Sequence, residues 1–234
     1  MMPDCSPFKK DVLSLLSLSP LILWIGLMIP MPIHAAELEN PCLQLASQAK
    51  INITYTDMPT SEDYSQSVTY LKALAGKNFD QYHNVFGLTH AEPKLQYKVE
   101  ESLTRSPDGR ICAIPDLNIL AGFNSMQVYI AKEVTSNCRI QTIRSHEYEH
   151  VSAWKNHMRA GTRLLENPLK TAFSEPRYYN SMIEAQQDLL PWVNSVIKPL
   201  EQRLFSGINL VQHTIDSPMS YETVEAKLRS CPPS

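Results

Sequence analysis

The chain has 234 residues, a formal net charge of −3 from 21 Lys and Arg against 24 Asp and Glu, and five cysteines. Nothing in it forms the basic stripe that a nucleic-acid binder presents. Beyond the N-terminal segment about 200 residues remain, the length of one ordinary domain that buries a core without help.

Residues 1–36 read as a secretory signal. Lys9 and Lys10 precede an apolar run from Val12 to Met31 that Pro20 interrupts, and Ile33-His34-Ala35-Ala36 offers small residues for cleavage after Ala35 or Ala36. An uncleaved membrane anchor is the alternative, because the run approaches the length that spans a bilayer. Cleavage leaves no stable insertion in a membrane and retains Cys42, Cys112, Cys138 and Cys231, an even set expected to form two disulfides after export. The expected pairs are Cys112 with Cys138, joining the neighbourhoods of adjacent strands, and Cys42 with Cys231, tying the termini.

Further along, Ile51, Ile53 and Tyr55 alternate as a strand, and Tyr64 to Ala75 has helical periodicity that ends near Gly76. Leu95, Tyr97 and Val99 alternate before the turn Ser106-Pro107-Asp108-Gly109, after which Ile111 to Ile114 return as a hairpin partner. Met126, Val128 and Ile130 mark a strand from Ser125 to Val134, closed by the polar turn Thr135-Ser136-Asn137. Ile140, Ile143, Tyr148, Val151, Trp154 and Met158 then recur at helical steps from Arg139 to Ala160, with Gly161 as the expected C-cap. A second helical segment spans Tyr179 to Leu190, and a long amphipathic stretch from Pro191 to Thr214 is interrupted at Pro199 and near Gly207. Strands first and helices afterwards predict an α+β fold, a small antiparallel or mixed sheet followed by helices.

The most informative stretch is His146-Glu147-Tyr148-Glu149-His150. Two histidines four apart on a helix share a face, so both imidazoles reach one ion, and neutral imidazole nitrogens suit Zn²⁺. Glu147 lies about 100° round from His146, beside the metal, where it can take a proton from a metal-bound water and pass it to a leaving group. The opposite, apolar side of this helix is expected to pack on the core. His157 returns to nearly the same face but stands about 10 Å along the axis from His150, too far for one ion on an unbroken helix.

Met126 to Gly161, and His146, Glu147 and His150 above all, resemble the zincin superfamily of zinc peptidases, in which an HExxH helix lies behind a sheet whose edge strand holds an extended peptide. A looser resemblance across most of the mature chain is to predicted secreted bacterial zinc proteases of otherwise unknown function. In the gluzincin branch a Glu-x-x-x-Asp follows the motif; the resemblance implies Glu184 as third metal ligand and Asp188 as the carboxylate that orients a ligand histidine. Glu166, Glu175 and His213 remain rivals for the ligand, and Tyr178, Tyr179 and His213 are candidate donors to a transition-state oxyanion.

The resulting expectation is a secreted or periplasmic zinc-dependent peptidase acting on a peptide or protein held along the Met126 to Val134 strand. Arg144 and Glu149 stand where zincins usually carry uncharged residues. They keep open a second class, an exported metal-binding or envelope interaction protein without turnover. A disulfide-braced domain without metal is a third. Oligomeric state has no sequence signal here.

Overall fold

The computed structural model describes residues 40–76 and 85–232; the proposed signal segment and its cleavage point lie outside the described residues. The Asn40 side chain accepts the Cys42 N–H at 3.0 Å and caps α1 (Pro41–Ser47), whose first position holds a proline with no donor to lose. β1 (Ile51–Tyr55) follows the predicted alternation. The helix expected from Tyr64 divides in two. β2 (Ser61–Asp63) precedes it, and α2 (Val68–Ala75) starts only where Ser67 accepts the Tyr70 N–H, ending at Gly76 with φ 80°.

β3 (Gly87–Arg105) and β4 (Ile111–Ile130) form a hairpin paired along its whole length. Its turn uses Gly109 at φ 90°, and Asp108 accepts the Arg110 N–H at 3.1 Å. The two strands read separately from the sequence, at Ile111 and at Met126, are opposite ends of β4. One register shift, between Glu92 and Pro93, leaves Asn124 of β4 without an opposite residue, a bulge placed where proline cannot donate to the ladder. On its other edge β4 pairs in turn with β5 (Arg177–Tyr179) antiparallel, then β1 and β2 parallel. Pro115 falls between the β5 and β1 pairings, so its missing donor costs no bond on that side. The result is a five-stranded mixed sheet within an α+β fold. β4, central in the sheet, is buried throughout from Ile111 to Pro115 and then alternates, with Leu117, Ile119, Ala121, Phe123, Met126, Val128 and Ile130 in the core. Gln127 to Tyr129, within the strand expected to receive a substrate, is paired on both edges; among the described residues β3 is paired with β4 alone.

α3 (Asn137–Leu164) crosses the sheet and packs on β4, β3 and β1, and also on α5 (Met182–Ile215) and α6 (Pro218–Arg229). α4 (Glu166–Ala172) bridges α3 to α5. Gly161 lies within α3 and does not cap it: a Cβ there would meet Leu204 of α5 at 2.2 Å, so glycine permits the helices to close. α5 runs unbroken through Pro191 and Pro199, merging the two helical segments read from sequence. An interior proline costs about 3 kcal/mol. Ala185, Leu189, Trp192, Val193, Ile197, Leu204 and Ile208, buried on both sides of each proline, offset it by packing into the core.

Both disulfides differ from the expected pairs: Cys42 joins Cys112, and Cys138 joins Cys231. Cys112 begins β4 whereas Cys138 begins α3 beyond its far end, and from Cys112 to Ile130 the strand covers about 60 Å of path. Strands adjacent in sequence are here one strand, and its length separates the two cysteines. Cys42 meets Cys112 because α1 docks on the β3–β4 hairpin. Removing that fully buried bridge in Cys42→Ala/Cys112→Ala, which opens a loop of 70 residues, should lower stability by about 4 kcal/mol in chemical denaturation followed by circular dichroism.

Candidate metal centre

His146, Glu147 and His150 share the buried stripe of α3 with Ile143 and Val151, with exposures of 7, 5 and 6%. The expectation that the apolar core would lie on the opposite side is therefore corrected. The motif is buried because β3 meets it at Glu147, α5 at His150 and α6 at His146.

The last turn of α5 brings Gln212, and its C-cap brings Asp216. One oxygen of Asp216, Oδ1, stands 3.0 Å from His150 Nε2 and 3.5 Å from His146 Nε2. His150 Nδ1 is 2.5 Å from Gln212 Oε1, so the ring donates there and turns the other nitrogen toward Asp216. The imidazoles stand edge to face with centroids 4.9 Å apart. Among the described residues, His146 Nδ1 is buried without a hydrogen-bond partner, as is Gln212 Nε2.

This arrangement fits a metal ion. Tetrahedral zinc with bonds of about 2.0–2.1 Å has ligand–ligand edges of about 3.3 Å, which the two Nε2–Oδ1 separations bracket. The three ligand atoms lie within 4.8 Å of one another. Two imidazoles and a carboxylate suit several divalent ions.

Charge follows the same geometry. Burial pushes the Asp216 carboxyl up, but hydrogen bonds from His146 and His150 outweigh it and hold the group well below the usual carboxylate range. Burial lowers His150, and the Asp216 bond and the Glu147 charge outweigh it, so its pKa rises. Glu147 is pushed up by burial, against the pull of His150 and His146. Tyr221 of α6 donates to Asp216 Oδ1 at 3.1 Å, and its ring lies 5.9 Å from that of His146.

β3 holds Glu147 from the sheet side. Thr89 Oγ1 is 2.9 Å from Glu147 Oε2 and 2.9 Å from its carbonyl oxygen. At Gly87 a Cβ would come within 2.5 Å of Glu147 Oε1, so only glycine lets the strand approach the carboxylate this closely. The charges that depart from the zincin pattern are accounted for outside the stripe. Arg144 grips Glu62 of β2 with Nη2 at 2.7 Å and Nε at 3.0 Å, while Tyr148 and Tyr64 also donate to Glu62. These bonds lower Glu62 to about 2. Glu149 is exposed.

Glu184 and Asp188 are not brought to the histidines. Glu184 accepts the Asn180 N–H at 3.0 Å at the start of α5, and about 40 Å of helix separates it from Gln212. Asp188 pairs with Arg177 at 2.6 Å and accepts from Tyr179 Oη at 2.8 Å. Glu166 pairs with Lys170, Glu175 and His213 are exposed, and Tyr178 and Tyr179 belong to the distant β5. His157, read as outside the ligand set, donates to Leu204 O at 3.0 Å against Gly207. Sequence reasoning missed Asp216, Gln212 and Tyr221. Their signal is faint: a Gln and an Asp four apart, the latter just before Ser217-Pro218, where one helix stops and another starts.

Comparison of the chain with family profiles, with curated proteins and with solved structures finds no match.

Zinc content measured by elemental mass spectrometry should fall sharply in His146→Ala and Asp216→Asn and stay at the parental level in Glu184→Gln. Gln212→Ala should weaken zinc binding by about 10–100-fold in a competition titration. Proton and metal compete for His150 Nε2. Because its pKa is raised, affinity is full above that pKa and is lost as pH falls through it, with loss setting in above about pH 6.5.

Proposed function

We propose that the chain is an exported zinc-dependent hydrolase, a peptidase on a zincin-like scaffold, with His146, His150 and Asp216 as ligands and Glu147 as general base. The observation that carries this reading is the placement of a buried carboxylate, Glu147, beside two imidazoles that converge on a third, charged ligand. Zinc bound there would lower the pKa of a coordinated water to about 7 and polarise a substrate carbonyl. Glu147 stands beside the histidines, where it would serve as the base for such a water and return the proton to a departing amine. Burial raises its pKa, which strengthens the carboxylate as a base toward that proton. Thr89 fixes the carboxylate's orientation.

An extended peptide finds its partner along β3, whose Gly87 to Ala91 end runs beside Glu147, and main-chain bonding there requires no particular side-chain sequence. Export is supported by the two disulfides, and no helix among the described residues is long and apolar enough to cross a membrane.

A second reading, a metal-binding protein without turnover, draws on the 5–7% exposure of the motif residues. Glu147→Gln separates the two. In the enzyme the variant keeps its zinc and loses hydrolysis of a mixed peptide library by about 100-fold or more. Parental protein that holds stoichiometric zinc yet cleaves no peptide at a rate distinguishable from Glu147→Gln would leave the binder as the function.

A further inference from the structure

The two disulfides occupy opposite environments. Cys42 and Cys112 are fully buried, whereas Cys138 is exposed and Cys231 partly so. The accessible bond joins the second residue of α3, the helix that carries the histidines, to the chain just past the end of α6. α6 itself has no buried residue. It touches the body through Tyr221 at Asp216 and His146 and through Leu228 on the core, and its Arg229–Glu225 ion pair is internal. A helix of 12 residues with so little buried surface is marginal unless held. Yet α6 packs on α3 where the histidines and Glu147 are nearly inaccessible to solvent.

A boundary between what stays and what can move is also present. Asp216 closes α5, donating its N–H to Gln212 O at 3.1 Å, while Ser217 begins α6, its side chain accepting the Ser220 N–H and its carbonyl the Tyr221 N–H. The third ligand therefore belongs to α5 and the covering helix starts one residue later.

We infer that α6 is a lid over the metal site and that Cys138–Cys231 is its redox latch, opened by a dithiol. The inference rests on the proposed metal site for its purpose, although the latch can be tested without metal. In the opening step a dithiol's thiolate attacks one sulfur of the bond and expels the other cysteine as thiolate. The dithiol's second thiolate then displaces the remaining cysteine from the mixed disulfide. Two electrons pass to the protein, the cysteine sulfurs take up two protons, and the dithiol leaves as a disulfide. α6 then hinges at Ser217, the Tyr221–Asp216 bond breaks, and His146, Glu147 and His150 become accessible to a substrate while Gln212 and Asp216 keep their places. Exposed disulfides are the labile ones, and the buried Cys42–Cys112 bond survives the same treatment.

The test compares the oxidised protein with Cys138→Ser/Cys231→Ser, using two readouts. Amide hydrogen exchange by mass spectrometry, on metal-free protein, should show residues 217–231 exchanging at least about ten-fold faster in the variant, with the strands around Cys112 unchanged. Release of loaded zinc to a chromogenic chelator should accelerate by a similar factor. If the variant fails to fold by circular dichroism, the parental protein treated with a phosphine reductant replaces it, with alkylation and peptide mass confirming that Cys42–Cys112 is intact. Unchanged protection of α6 on breaking the bond overturns the latch, as does faster zinc release without loosening of α6. A protein that takes up no zinc removes the proposed hydrolase, while α6 exchange still decides whether the latch exists.

Discussion

The antiparallel register between α3 and α5 is the constraint on which the candidate site depends. Each helix carries one glycine where the other presses in: Gly161 against Leu204, and Gly207 against His157. Stepping back along α3 to His150, the facing stretch of α5 has advanced to Gln212 and Asp216, where the contacts with His150 occur. The same register carries Glu184 past the end of α3 altogether. A bulky residue at either glycine would force the helices apart, and close-packed interiors transmit such a shift to the far end of the interface. Residues with no polar role thus set the distance between a histidine and its carboxylate.

Around that interface the protein assembles an expensive cluster. Two imidazoles and two carboxylates, Glu147 and Asp216, converge in a region where the motif residues are almost dry, and His146 Nδ1 and Gln212 Nε2 lack partners among the described residues. Buried polar groups cost free energy unless paired, and both nitrogens of His150 face oxygen acceptors. Such a ring needs either a second proton or a cation at Nε2. A metal ion held there would offset a desolvation cost already built into the fold and so couple occupancy of the site to stability.

Local pattern made the motif helix, β1 and the turn at Gly109 legible, because periodicity, turn chemistry and HExxH spacing depend on residues a few positions apart. What stayed hidden depends on distance in space. The alternation at Met126 and the apolar run at Ile111 gave no sign of being one strand, since the bulge at Asn124 shifts the buried positions from Leu117, Ile119, Ala121 and Phe123 to Met126, Val128 and Ile130. That single misreading also reversed the disulfide pairing. Pro191 and Pro199 signalled a break that core packing on both sides suppressed, and an unbroken α5 carried the Glu184-x-x-x-Asp188 pattern away from the histidines. Arg144, which counted against a peptidase in the sequence, belongs to the Glu62 clamp on β2. Asp216 reaches the two histidines from a helix junction that no pattern linked to α3.

The partners of β4 enter in an order that bears on how the chain assembles. β3 is its neighbour in sequence, so the hairpin closes a short loop and forms early, whereas β5 arrives from beyond the whole of α3. β1 and β2 precede β4 and wait for it. In a chain synthesised N-terminus first, they and Cys42 emerge before the strand that receives them has appeared. Until they dock, the second edge of β4 is an open, apolar template, the kind of surface that recruits other chains. Docking of β1 along Leu117 to Ala121, with Cys42 joined to Cys112, covers that stretch of the edge.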